Sequence, residues 1–417
     1  MQTRLSLGSH PLAMAALLFA TIALASCSND ETESPRVELE TNATPSTFEL
    51  LNPELSASAK EIALDYVDQI SIDLSQASIE IAGLQSTIRT LISEPSVDSL
   101  ENSREAWLDA HTAYELTALH RYFATQLIEE QAGLALLQIQ YQINHWPIVP
   151  GYIDYVEGYP DSGIVHDINV NLDDDSVREQ HGSFDVSEAT LGFHVIEFLL
   201  WGDSSDSVPR PLTDYQAVEQ LSPQEIESGY TLQQLSKNRR RALLPIIADA
   251  LVEDYAALQA LWLAQKPIIV SRIESASATE LIVALTDSMS AMLSEELLLR
   301  SLYPMLNGDF VESIQSPYSQ STQNAVSIQL SGLERLLLEL QTENGTSLDL
   351  VFSAISDEFS EFFYQNFDAS KSCLVLLYAN SESDAVAPTT ETEIVECINL
   401  LTNMIDYNDR LKFDLTN

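Results

Sequence analysis

His194 and Glu197 stand three residues apart in the run Leu191-Gly192-Phe193-His194-Val195-Ile196-Glu197-Phe198-Leu199-Leu200-Trp201-Gly202, and they are its only ionisable residues. On a helix they share one face, and a helix that is apolar on nearly every side is buried. A buried charge is costly unless it is paired or bound, so something must satisfy both groups. The residue types leave two readings. Imidazole and carboxylate satisfy each other inside the core, or they belong to a site for a metal ion or a small ligand. Zinc takes three or four protein ligands, and the His-Glu-x-x-His pattern of zinc peptidases is absent. Bundle metalloproteins combine two Glu-x-x-His pairs with further carboxylates. Here the order is His-x-x-Glu and no second pair appears.

Other chemistry-bearing residues are sparse. The histidines are His10, His111, His120, His145, His166, His181 and His194, so none lies beyond residue 194. A metal site drawing on the second half must therefore use oxygen ligands there. Glu295 and Glu296, with Arg300, are the candidates, and an ion pair at helical spacing on a solvated face is the alternative. Asp167, Asn169, Asn171 and Asp173 to Asp175 begin like a calcium loop. Leu172 stands where that loop turns on glycine and Arg178 where it ends on glutamate, so the stretch reads as an acidic loop. Hydrolase elbows, Gly-rich phosphate loops and haem-attachment motifs are missing.

The elements that must position the pair are helices. Apolar residues recur at three- and four-residue steps from about 55 to 93, until Pro95. Ser96 or Asp98 can cap a second helix carrying Trp107, Ala110 and Tyr114. A third pattern covers 131–144. Prolines and glycines from Pro147 to Gly163 then make 146–186 an irregular excursion. Ser187 and Glu188 read as cap and first turn of the His194 helix, which Gly202 ends. Further helices are expected at about 228–265 with a kink at Pro245, and at 277–303, 322–341, 346–379 and 389–415. No strand ladder is evident. The expected fold is all-α in two helical bundles, 49–270 and 271–417, divided near the Lys266-Pro267 break. Two similar bundles would make a duplicated fold, although no sequence repeat shows it.

Composition agrees. The chain has 417 residues, 45% hydrophobic and 20% charged, which describes a globular protein and not a disordered one. Lys plus Arg number 19 against 63 Asp plus Glu, a formal charge of −44. Such a surface repels nucleic acid and anionic lipid, so neither is expected as a partner. Residues 1–26 read as a secretory signal. Leu24-Ala25-Ser26-Cys27 resembles a bacterial lipoprotein cleavage site, which implies acylation of Cys27 and a membrane anchor. Ser28 after it leans toward the outer membrane. Residues 27–48 are polar and acidic and read as a tether. With Cys27 lipidated, Cys373 and Cys397 remain as an even pair in an oxidising compartment, and a disulfide is favoured over two free thiols.

Around Gly192-x-His194-x-x-Glu197 the chain resembles the imelysin family, also classed as peptidase M75. Glu94-Pro95-Ser96 through Arg104-Glu105-Ala106-Trp107-Leu108 is similar to that family's first hairpin. Ile143-Asn144-His145-Trp146-Pro147 with Tyr152-Ile153-Asp154-Tyr155-Val156 is similar to its Trp-Pro/Ile-Asp segment, and Arg210-Pro211-Leu212-Thr213-Asp214-Tyr215 follows. Leu293-Ser294-Glu295-Glu296-Leu297 and Ser316-Pro317-Tyr318-Ser319-Gln320-Ser321-Thr322 match less closely. His111 stands where the family often has Arg. Ile148 and Val149 replace acidic residues, and Gln320 and Gln323 replace acidic and His residues.

The resemblance implies two all-α bundles with the His/Glu helix near their interface, an envelope location, and a link to iron or another divalent metal. It also implies a partner in envelope iron uptake or redox traffic. On this reading His194 is ligand or proton acceptor, and Glu197 is ligand or orienting carboxylate. Trp146 and Asp154 line the same cleft, and Glu296, Arg300, Ser316 and Ser319 contribute from the second bundle. The competing enzyme reading is a metallopeptidase in which Glu197 holds the metal or acts as general base on a bound water. A third reading is a non-catalytic surface lipoprotein whose His–Glu pair only fixes helix packing.

Overall fold

The frame is a pair of long helices laid against each other. In the computed structural model, which describes residues 51–127, 130–203, 209–381 and 389–416, α1 runs Pro53–Ser93 and α9 runs Ser236–Ser275. The expected signal segment, Cys27 and the expected tether lie outside the described residues. At the start of α1 the Asn52 side chain accepts the Leu55 N–H and Pro53 holds the first position, as an N-terminus requires. The helix ends before Pro95. Ser96 then caps α2 (Val97–Glu115) in a reciprocal box with Ser99. The apolar stripe of α1, including Ile62, Tyr66, Ile70, Leu84 and Ile88, is buried against α2, α9 and α10 (Ala278–Met292).

Between these come α3 (Ala118–Leu127), α4 (Glu130–Asn144), α5 (Pro150–Ile153), α6 (Asp174–Gln180), α7 (Phe193–Trp201) and α8 (Pro223–Glu227). After α10 the helix widens into a π-helical segment, Leu293–Leu302, and continues as α11 (Tyr303–Asn307) and α12 (Phe310–Ser313). The chain finishes with α13 (Thr322–Glu334), α14 (Leu348–Ile355), α15 (Asp357–Ser381) and α16 (Glu391–Thr416). α15 and α16 pack together and are joined by a Cys373–Cys397 disulfide.

The fold is all-α. Among the described residues no strand forms, and only two isolated bridges occur, Val156 with Tyr159 and Gln341 with Ser347. No described helix is long and apolar enough to cross a membrane. The described residues belong to one compact unit. Lys266-Pro267, read in the sequence as a break, lies inside α9, which continues to Ser275. Residue 270 falls in the same helix. Elements on either side of it pack together, α3 on α10 and α2 on α13.

Candidate functional site

The short helix α7 carries the pair and is buried from Phe193 to Leu200. It begins later than Ser187 and Glu188 suggest. The backbone N–H groups of Thr190 and Leu191 donate to His181 Nδ1 at 3.1 and 3.3 Å, and the Thr190 hydroxyl donates to the Val177 carbonyl. That stretch is thereby tied down outside any helix. Gly192 then starts α7 at φ +92°, where a Cβ would lie 2.5 Å from the Ile143 carbonyl oxygen. Only glycine allows both the backbone angle and this close approach. Trp107 Nε1 donates to the Phe193 carbonyl at 2.8 Å, and Arg104 Nη2 donates to the Leu200 carbonyl at 2.9 Å. The cation thus sits where the helix carries partial negative charge.

His194 Nδ1 and Glu197 Oε2 are 2.9 Å apart. The other carboxylate oxygen, Oε1, accepts three bonds from the loop ahead of α13. These are the Tyr318 N–H at 3.1 Å, the Ser319 N–H at 2.8 Å and the Ser319 hydroxyl at 2.7 Å. Burial pushes the Glu197 carboxyl up to about 7, against the pull of the Ser319 and Tyr318 donors. Burial, with His111 beside it, holds the His194 imidazole well below its ordinary range. A neutral imidazole that donates from Nδ1 presents a lone pair at Nε2.

That Nε2 atom is buried and has no hydrogen-bond partner among the described residues. His194 lines a small cavity with Trp146, Ile148, Ile314, Pro317 and Tyr318. The cavity is small, with about 250 Å³ of empty space, part of it open to solvent. Val311, which also lines it, is 80% exposed. Trp146 Nε1 is a second buried polar atom without a partner, and the Ser316 hydroxyl is a third.

Two buried carboxylates lie beside this cavity's walls. Glu115 accepts from Asn144, Gln315 and Gln329 side-chain amides, each at 2.7 Å. His111 Nε2 lies 3.4 Å from it, and the His111 ring meets His194 edge-on at 5.2 Å. Burial alone would raise the Glu115 carboxyl, but His111 and Arg121 overcome it and hold the group far below its usual range. Glu296 accepts from Arg121 at 3.0 Å, Tyr122 at 2.9 Å and Arg300 at 3.1 Å. The Arg300 guanidinium in turn stacks over Trp146 at 4.5 Å. Glu296 and Arg300 are therefore tied to the cavity through Trp146, on a buried Glu296 and not on a solvated face.

The structure brings together Trp146, His194, Glu197, Ser316 and Ser319, with Glu296 and Arg300 behind Trp146. Asp154 is placed in a separate cluster. It accepts from Arg210 at 2.8 Å, from Arg240 Nη2 at 2.9 Å and also from Arg240 Nε, and it does not line the His194 cavity. Its carboxylate is compensated by two buried guanidiniums, the arrangement a buried charge requires.

The donor set does not fit a directly coordinated metal. Both Glu197 oxygens are engaged and His194 has one free nitrogen, whereas zinc or iron takes several protein ligands. Among the described residues no three His, Cys, Asp or Glu side chains converge as a metal centre would need.

Residue types alone do not reveal Tyr318, because it acts through a backbone N–H. His111 and Glu115 did carry a signal: with Trp107 they recur at four-residue steps on one face of α2.

No curated protein matches the sequence. A solved structure described as an iron-regulated protein A precursor from Parabacteroides distasonis shares the fold, with a TM-score of 0.62 over 87% of this chain and 96% of that one, at 13% identity. The sequence profile described as Imelysin, peptidase M75, matches residues 73–403, most of the chain, and the protein belongs to the imelysin family.

Proposed function

We propose that this imelysin-family protein is a lipid-anchored envelope protein that holds a small ligand, alone or as part of an iron complex, against His194. One observation carries the reading: both Glu197 oxygens are engaged by neighbours, while His194 Nε2 has no partner among the described residues and His194 lines a small cavity. A buried polar atom left without a partner costs about 1–3 kcal/mol, so a group in the cavity, ligand or ordered water, is expected to meet it. The iron link rests on the fold neighbour's description and comes to this chain as part of the proposal. The anchor rests on Cys27 and its preceding residues. Partners in envelope iron uptake or redox traffic follow from the same reading. A peptidase needs a cleft for an extended peptide, and the cavity at His194 is small.

The test is metal analysis and binding on the soluble chain carrying Cys27→Ser, purified without chelator, beside the His194→Ala/Glu197→Ala variant. Fe(III)–citrate should bind the parent, with at least tenfold loss in the double variant at unchanged helicity. Stoichiometric metal that survives dialysis and vanishes in the variant would establish direct coordination instead. Equal binding by both proteins would leave the pair a packing device.

A further inference from the structure

The cavity also says what kind of group it admits. Its lining includes two buried polar atoms unpartnered among the described residues, His194 Nε2, which can accept, and Trp146 Nε1, which can donate, beside Gln315 and Tyr318. Ile148, Val311, Ile314 and Pro317, all apolar, make up much of the rest of its lining. No Asp, Glu, Lys or Arg lines it. A charged group pushed inside would shed water and meet no opposite charge on the walls, which is unfavourable, so the charged part of any larger complex would have to stay outside. His194 Nε2 needs a donor and Trp146 Nε1 an acceptor, and a hydroxyl is the smallest neutral group that can serve as either.

We infer that the His194 cavity selects an uncharged molecule with an apolar shank and a terminal hydroxyl, whose O–H donates to His194 Nε2. This rests on the reading that the cavity binds a ligand and narrows it to one chemical class. Glu197 acts as the positioning residue. By accepting the Nδ1–H it fixes the imidazole tautomer that leaves Nε2 free to accept. Glu197 touches no ligand, because its second oxygen is filled by Tyr318 and Ser319. The Ser316 hydroxyl, between lining residues Gln315 and Pro317, is also unpartnered.

The test compares two isomers of equal size, 1-butanol and methyl propyl ether, which differ in having or lacking the donor hydrogen. Each is titrated at pH 8 into the folded soluble chain, with the His194 imidazole and Trp146 indole resonances as readouts. His194→Gln and Trp146→Phe variants assign those signals. The alcohol should shift both signals saturably, with the ether at least tenfold weaker. In Glu197→Gln the new amide donates to Nδ1, so Nε2 carries the hydrogen. The ether should then gain on the alcohol by a similar factor, while a merely structural Glu197 would leave the preference unmoved. Equal binding of ether and alcohol by the parent overturns the hydroxyl assignment and leaves the ligand site standing. Fe(III)–citrate binding that depends on His194, with no response to the alcohol, does the same. No shift from any of the three overturns both readings.

Discussion

Replacing Glu197 by Gln is the most informative single change, because its effect has a sign fixed by pH. The Glu197 carboxyl moves from an ordinary 4.5 to about 7 through burial. The unfolded chain gives up this proton near 4.5, whereas the folded chain keeps it until about 7. Ionisation therefore costs the folded state. The stability associated with the protonated group is fully present below 4.5, falls as pH rises, and is lost above about 7. At about 1.4 kcal/mol per pH unit the whole loss is about 3 kcal/mol, of which about 2 kcal/mol falls between pH 5.5 and 8. Glutamine mimics the protonated carboxyl. Its oxygen can keep the Tyr318 and Ser319 donors, and its amide can turn to His194 Nδ1. Chemical unfolding of parent and variant at both pH values should show the variant gaining about 2 kcal/mol relative to the parent on going from pH 5.5 to 8. His194 titrates in the unfolded chains of both proteins, so its contribution there cancels in the difference. A variant that instead loses ground as pH rises would refute the reasoning. It would mean that His194 and the loop donors outweigh burial and that the folded site prefers the carboxylate.

Three further outcomes are expected. Gly192→Ala should destabilise the chain by about 3 kcal/mol in denaturant titrations, because a Cβ at φ +92° meets the Ile143 carbonyl oxygen at 2.5 Å, and it should weaken any His194-dependent binding as α7 shifts. Glu115→Gln sets an amide against the Asn144, Gln315 and Gln329 donors and should cost about 3 kcal/mol or more at neutral pH. The Glu115 carboxyl is held below its usual range, so this parent advantage is complete above about pH 4.5 and shrinks as pH falls further, a trend that unfolding midpoints at pH 3.5 and 6 will register. Replacing both Cys373 and Cys397 by Ser frees a loop with a sequence separation of 24 and should cost about 3 kcal/mol by loop entropy, read as a lower unfolding midpoint with helicity retained.

Much of the fold was legible because helices announce themselves locally. The stripe from Ile62 to Leu91, the stop at Pro95 and the Ser96 cap are features of neighbouring residues, and α1 and α2 follow them within a residue or two. Pro267 misled because a proline's local cost can be absorbed when a long helix is packed along its length, as α9 is against α1 and α4. Ser187 misled because a capping residue signals a helix only if the following N–H groups have no better acceptor, and His181 Nδ1 supplied one for Thr190 and Leu191.

The sequence by itself determined that His194 and Glu197 are buried and share a face, since both facts follow from a 3.6-residue period and an apolar run. Only the tertiary structure decided how each is satisfied. Glu197 holds His194 from three residues away, but the groups that fill its other oxygen come from more than 100 residues away, and for Tyr318 the contact is a backbone N–H that no side chain encodes. It likewise assigned Asp154 to Arg210 and Arg240, because partnership between charges depends on distance in space, and spacing along the chain reports that distance only within a helix.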